Sequence, residues 1–188
     1  AQLVFSRNKR PEGQRVGRPT RVYILSAAGD HLFPKAYDEL AVELIDTLTS
    51  ALGPEALRQV LTSFTDQHVR HWTPDLQDKS LLERLEAIKG IYREKDAYMG
   101  VELDEASGEL RLVERNCPFL NVASRQPALC SVTVSTLSRL LGHAVIREKR
   151  FQDGDGRCVF RVQLDQSVNS ATFHFAFEQE MNDKGRDR

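Results

Sequence analysis

Three cysteines are the residues of this 188-residue chain whose type best suits metal chemistry. Cys117 follows a predicted strand, Cys130 lies in the first turn of a predicted helix, and Cys158 opens a later strand. Twelve residues separate the first pair and twenty-seven the second, which is much wider than the short CxxC pairs of a zinc knuckle. The fold, not one local loop, must therefore bring the three thiols together.

A purely structural role for these cysteines stays open. Free cysteines are among the most buried residue types, and Cys158 would pack with Phe160 and Val162 on one strand face. An odd count leaves one thiol over from a disulfide framework, which favours a reducing, cytoplasmic setting with thiols available as ligands. At Cys130, the helix N-terminus would lower the pKa of the thiol.

The region that must position the cysteines, residues 97–188, has the pattern of a small α+β domain. Its predicted elements are strands at 101–103 and 110–112, a helix from Pro127 to Leu141 ended by Gly142, and strands at 145–149 and 158–164. Two hairpins about one helix, a ββαββ arrangement, form a domain that can hold a ligand between sheet and helix. A final alternating run, 172–177, predicts an edge strand.

Residues 36–96 change to a helical period. Apolar residues recur on one face of three predicted helices, the first ended by Gly53-Pro54 and the third begun by a capping box of Ser80 and Glu83. Such apolar stripes become buried either within one chain or against a second copy. Both interpretations explain the pattern equally.

The N-terminal residues differ in charge from the rest of the chain. Residues 1–22 hold six basic residues against the single acid Glu12, a local charge of +5 where the whole chain has −1. Alternation around Phe5 and Ile24 predicts two short strands, and a polar turn from Arg7 to Gly17 joins them. A basic loop at the tip of such a ribbon can lie along DNA phosphates. The candidate DNA-binding residues are Arg7, Lys9, Arg10, Arg15, Arg18 and Arg21.

The sequence lacks the motifs that are typical of several classes of protein. No apolar run approaches the roughly 18 residues of a membrane span, so no membrane partner is expected. No Gly-rich phosphate loop, paired carboxylates or Cys/His/Asn set stands out. These observations favour a regulator over an enzyme.

The chain resembles the winged-helix transcriptional regulators of the SufR type. Four stretches spread over nearly its whole length carry the resemblance: GRPTRVYILSAAGDHLFPKAYDEL, LGPEALRQVL, LVERNCPFLNVASRQPALC and GDGRCVFRV. The family implies a DNA-binding homodimer that holds an iron–sulfur cluster in its C-terminal domain and represses iron–sulfur assembly operons. It further implies that residues 1–35 are the remnant of a winged-helix domain, that 36–96 are dimerisation helices, and that 97–188 form the cluster-binding sensor.

Two features depart from the family pattern. The helix-turn-helix that should precede Leu3 is missing, so we expect a fragment or a sequence that begins inside the first domain. A further cysteine expected between Cys130 and Cys158 is also missing. His143 falls in that interval and is the candidate fourth ligand, although it also suits a helix C-terminal histidine that interacts with the helix dipole. Three thiolates with one open iron site form another arrangement.

We therefore expect a transcriptional repressor in which Cys117, Cys130, Cys158 and His143 hold a [4Fe-4S] cluster. The cluster state would control affinity for a palindromic operator in double-stranded DNA. A [2Fe-2S] cluster or zinc is the alternative cofactor. The alternative function is a winged-helix regulator whose C-terminal domain binds zinc or a small-molecule effector.

Overall fold

The computed structural model divides the chain into two compact units, Ala1–Asp38 and Glu39–Arg188. It describes residues 5–7, 23–26, 29, 35–95, 97–105 and 107–184. Arg7 falls in a described strand, whereas the other candidate DNA-binding residues lie outside the described residues: Lys9, Arg10, Arg15, Arg18 and Arg21.

Two short strands pair in the first unit. Strand β1 (Phe5–Arg7) runs antiparallel to β2 (Tyr23–Leu25), with Phe5 opposite Leu25 and Arg7 opposite Tyr23. The two strands predicted around Phe5 and Ile24 are therefore confirmed. Their assignment to a DNA-binding wing stays a prediction.

Three helices follow: α1 (Tyr37–Leu52), α2 (Pro54–Leu76) and α3 (Leu81–Glu94). Between the first two, Gly53 has a φ of 83°, in the left-handed region that glycine adopts without strain. Pro54 then starts α2 at a position where its missing N–H needs no acceptor. At α3 the capping box is confirmed, because Ser80 accepts from the Glu83 N–H and the Glu83 carboxylate accepts from the Ser80 N–H.

A four-stranded antiparallel sheet forms the second layer, so the α+β class is confirmed. Its spatial order is β3-β4-β6-β5, and its strands are β3 (Met99–Leu103), β4 (Leu110–Glu114), β5 (His143–Lys149) and β6 (Cys158–Ser167). Because β6 lies between β4 and β5, residues distant in sequence become neighbours. Glu114 pairs with Cys158, and Arg147 pairs with Phe160.

Helical segments connect and follow the strands. They are α4 (Leu120–Arg125), a 3-10 turn (Pro127–Leu129), α5 (Cys130–Leu141) and α6 (Glu178–Lys184). Gly142 ends α5 with a φ of 75°, as predicted. The strand predicted at 172–177 is wrong, because Ala176 there exchanges backbone hydrogen bonds with the Ser135 hydroxyl of α5.

The helices and the sheet share one core. Ten of the twelve residues of α5 are buried, and its Leu137 packs with Leu112 of β4 and Phe160 of β6. Trp72 of α2 and Ile88 of α3 belong to the same core. Side chains of α2, α3, α5 and the sheet therefore pack in a single core. In the described part of the chain, no helix is both long and apolar enough to cross a bilayer.

Candidate cysteine centre

The three cysteines come from three different elements, and we call them the cysteine centre. Cys117 lies in the turn after β4, Cys130 is the first residue of α5, and Cys158 is the first residue of β6. The antiparallel pairing of β4 with β6 places Cys158 opposite Glu114, three residues before Cys117. All three are free thiols, two of them buried and Cys117 partly exposed.

The thiols lie near enough to act on one another electrostatically. Cys158 and Cys130 both raise the pKa of Cys117, and Cys130 also raises that of Cys158. Within the described residues, however, no three His, Cys, Asp or Glu side chains are arranged to hold a metal ion.

A buried arginine lies between Cys130 and Cys158. Arg147 of β5 donates from Nη1 to the Cys158 Sγ at 3.4 Å and from Nη2 to the Cys130 carbonyl oxygen at 3.1 Å. Its guanidinium carbon is 4.8 Å from the centroid of the Phe160 ring. Arg147 Nη2 also lies 3.0 Å from the Glu178 Oε1 and forms an ion pair with it, although the two groups are not aligned for a hydrogen bond. The Arg147 side chain is only 4% exposed.

Burial raises the pKa of every thiol in the centre. For Cys117 the pKa rises to about 11, with the Glu114 carboxylate as the second cause. For Cys130 and Cys158 burial also outweighs the opposing effect of Arg147. The lowered pKa predicted for Cys130 is therefore wrong. Metal binding must displace the protons of these thiols.

Polar groups other than Arg147 also surround the sulfurs. Gln152 donates from Nε2 to the Cys130 Sγ at 3.4 Å. Glu114 is buried at the end of β4, directly opposite Cys158 in the pairing of β4 with β6. Sequence reasoning missed Arg147, Glu114 and Gln152. For the two charged residues, the sequence signal was a charge directly after a run of apolar strand residues, as in Leu-Val-Glu114 and Val-Ile-Arg147.

His143 lies at the other end of α5 from the cysteine centre. The twelve-residue helix begins at Cys130 and ends one residue before Gly142, so it extends about 18 Å between them at 1.5 Å per residue. His143 pairs with Ser167 at the far end of β6 from Cys158. The structure therefore does not bring His143 together with the three cysteines. His143 instead lies just after the C-terminus of α5, which is the position expected of a histidine that interacts with the helix dipole.

Helix α6 connects the cysteine centre with α2. Glu178 accepts from Arg150 Nη2 at 2.7 Å in addition to facing Arg147, and its backbone N–H donates to the Ser131 hydroxyl of α5 at 3.1 Å. Two residues later, Glu180 binds Arg58 of α2 through both carboxylate oxygens. Helix α6 thus links Arg147, which contacts Cys130 and Cys158, to the long helix α2.

Comparison with known proteins adds no relative. The chain matches no family model and no curated protein.

The cysteine centre offers three kinds of group for chemistry. They are three reduced thiols as soft ligands, N–H donors aimed at two of the sulfurs, and one buried cation.

The ion pair of Arg147 predicts an unequal effect of two arginine substitutions. Arg147→Met removes the buried partner of the Glu178 carboxylate, which then keeps only the more exposed Arg150, and should lower the free energy of unfolding by about 3 to 5 kcal/mol. Arg150→Met removes a more exposed partner of the same Glu178 and should cost less than about 1 kcal/mol. Urea unfolding of both variants measures the difference, and equal losses would contradict it.

Proposed function

We propose that this protein is a transcriptional repressor that binds double-stranded DNA as a homodimer and senses an iron–sulfur cluster. Cys117, Cys130 and Cys158 are the proposed cluster ligands. The observation that carries the proposal is the approach of three free thiols from three elements, two of which, Cys130 and Cys158, contact the buried Arg147. The resemblance to SufR-type regulators assigns the controlled genes to iron–sulfur assembly, and reduced thiols favour a cytoplasmic setting.

The donor set suits a [4Fe-4S] cluster better than a single ion. Thiolates are the usual protein ligands of such clusters, and N–H groups that donate to their sulfurs stabilise the negative charge. Arg147 and Gln152 are placed to donate to Cys158 and Cys130 in this way. When bound, the cluster supplies a metal centre that oxidation or iron shortage can dismantle. A [2Fe-2S] cluster would use the same thiols.

Arg147 is the residue through which the centre would act on the rest of the protein. Its guanidinium is shared between Glu178 and the two cysteines Cys130 and Cys158. Negative charge on the cysteine side draws the guanidinium away from Glu178. Glu178 begins α6, and Glu180 of the same helix binds Arg58 of α2. The movement of the Arg147 guanidinium away from Glu178 would therefore change the contact of α6 with α2. The coupling requires two arrangements of α6 that cluster binding favours unequally.

Exposed apolar faces of α1 and α2 support the proposed homodimer. Large apolar side chains stand open to solvent there, and several of them line a groove of about 460 Å³. The exposed residues are Leu40, Leu44, Leu52, Val60 and Phe64. A second copy of the chain is the proposed occupant, because a palindromic operator requires a two-fold protein.

The ligand assignment is tested by replacing each cysteine with serine. Protein purified without oxygen should contain iron and sulfide and show broad absorption near 400 nm, and each of the three variants should lose both the colour and operator binding. His143→Ala, which changes a residue far from the centre, should keep the cluster. A colourless wild-type protein that contains zinc would contradict the proposal and favour the alternative regulator.

The proposed DNA contact predicts the salt dependence of binding. Replacing Arg10 and Arg18 by alanine should weaken binding to every DNA sequence, because phosphate contacts carry no sequence information. The slope of log K against log salt concentration should fall by about one phosphate contact per arginine removed. Titration by fluorescence anisotropy at several salt concentrations measures this slope, and an unchanged slope would rule out the contact.

The dimer surface is tested with two leucines of equal exposure. Leu44 of α1 and Leu103 of β3 are both 60% exposed. Leu44→Glu should convert a micromolar dimer to a monomer, because it places a charge in the apolar interface. Leu103→Glu should leave the dimer intact. Sedimentation velocity distinguishes these results, and a monomeric wild-type protein at micromolar concentration would contradict the dimer.

A further inference from the structure

A pocket lies at the end of β6 that is farther from Cys158. Its volume is about 320 Å³, which is at the lower end of the range for sites that bind small molecules. The start of β5, the end of β6, the segment 168–177 and α6 all contribute to its walls. No cysteine is among the described residues that line it. The pocket is therefore separate from the cysteine centre.

The pocket forms where the pairing of β5 with β6 is interrupted. Ala144 pairs with Gln163, whereas the preceding residue, His143, pairs with Ser167. Three residues of β6, 164–166, therefore stand opposite no residue of β5. The pairing of β4 with β6 ends at Val162, so among the described strands these three residues have no partner on that side either. Bulges of this kind redirect side chains and are frequent beside functional sites.

The wall that lies outside the sheet is anchored at both ends. The Val168 N–H donates to the Gly142 carbonyl at 2.9 Å, just after α5. Ala176 both donates to and accepts from the Ser135 hydroxyl of α5, at 3.2 Å in each case. Phe173 lies between these anchors and lines the pocket. A wall that is already held in place lowers the entropic cost of binding a ligand.

The lining combines an apolar part with a polar part that contains one charge. Ile146, Phe173 and Met181 are the larger apolar side chains. The polar part has two amides, one hydroxyl and the carboxylate of Asp165. Within the described residues, no basic side chain lines the pocket and no ion pair involves Asp165. The lining therefore favours a ligand that carries a positive charge on an apolar body.

A buried polar atom without a partner lies beside the same break in the ladder. In the described part of the chain, the Nδ1 of His143 has no hydrogen-bond partner. His143 stands opposite Ser167, which lines the pocket. Buried polar groups are normally paired. This end of the sheet therefore has hydrogen-bonding capacity that the fold itself does not use.

We infer that this pocket binds a small amphiphilic amine, in which a protonated amino group is attached to an aromatic or aliphatic body. The ammonium group pairs with Asp165, and the apolar body packs against Ile146, Phe173 and Met181. A phosphate ester or another anion would meet the Asp165 carboxylate without a compensating cation in the described lining. The inference goes beyond the proposed function and does not depend on a metal at the cysteine centre.

The decisive experiment follows the methyl signals of the two methionines in the chain. Met181 lines the pocket, whereas Met99 lies in the core beneath β3 and is not among the lining residues described. Phenethylamine, titrated at neutral pH into the full chain labelled at its methionine methyl groups, should shift the Met181 signal and leave the Met99 signal in place. Phenethyl alcohol has the same carbon skeleton without the charge and should bind about threefold more weakly.

Three variants separate the charge from the shape of the pocket. Asp165→Asn should bind the amine and the alcohol equally well, because the attracting charge is gone. Asp75→Asn removes an exposed carboxylate of α2 outside the pocket and should keep the preference for the amine. Ala144→Phe fills the space at the start of β5 and should prevent binding of both compounds. Asp165 is exposed, so its substitution leaves folding intact even if Ala144→Phe does not fold.

Three results would overturn the inference. One is an unmoved Met181 signal at millimolar phenethylamine. Another is equal affinity of the wild-type protein for the amine and the alcohol, which would make the pocket a site for neutral molecules. The third is a preference for the amine that persists in Asp165→Asn, because the charge that selects the amine would then lie elsewhere.

Discussion

A full positive charge inside the core of the second unit constrains the arrangement of the elements around it. Transfer of a guanidinium from water into a protein interior costs several kcal/mol unless partners surround it. Arg147 finds these partners in the Glu178 carboxylate, the Cys158 sulfur, the Cys130 carbonyl and the face of Phe160. They belong to α6, β6 and α5, so all three elements must be in place before the charge is satisfied.

The elements that the sequence predicted correctly have local causes. A capping box needs only Ser80 and Glu83, three residues apart, and both of its hydrogen bonds form. The end of α5 needs only a residue that tolerates positive φ, and Gly142 is that residue. Alternation of apolar residues was likewise sufficient for β4 and β6. The α+β class follows from such signals together.

The features that the sequence missed depend on partners far away in the chain. Residues 172–177 alternate like a strand, but the backbone of Ala176 bonds to Ser135 instead of to a neighbouring strand. His143 falls between two cysteines in sequence, yet α5 carries the chain away from Cys130 before it arrives there. Nothing beside Arg147 or Glu114 in sequence shows that each lies next to a thiol. Their partners are visible only once β4, β5 and β6 are aligned.

The pairing of β4 with β6 also fixes an order of events during synthesis. Glu114 and Cys158 are opposite one another, although the ribosome makes Cys117 and Cys130 well before it makes β6. A chain emerging from the ribosome therefore exposes two thiols and an unpaired edge of β4 while the third thiol does not yet exist. A metal centre that uses all three can form only after the last strand has joined the sheet. Non-local pairing of this kind is slow compared with helix formation, so the early thiols need a reducing environment until the sheet closes.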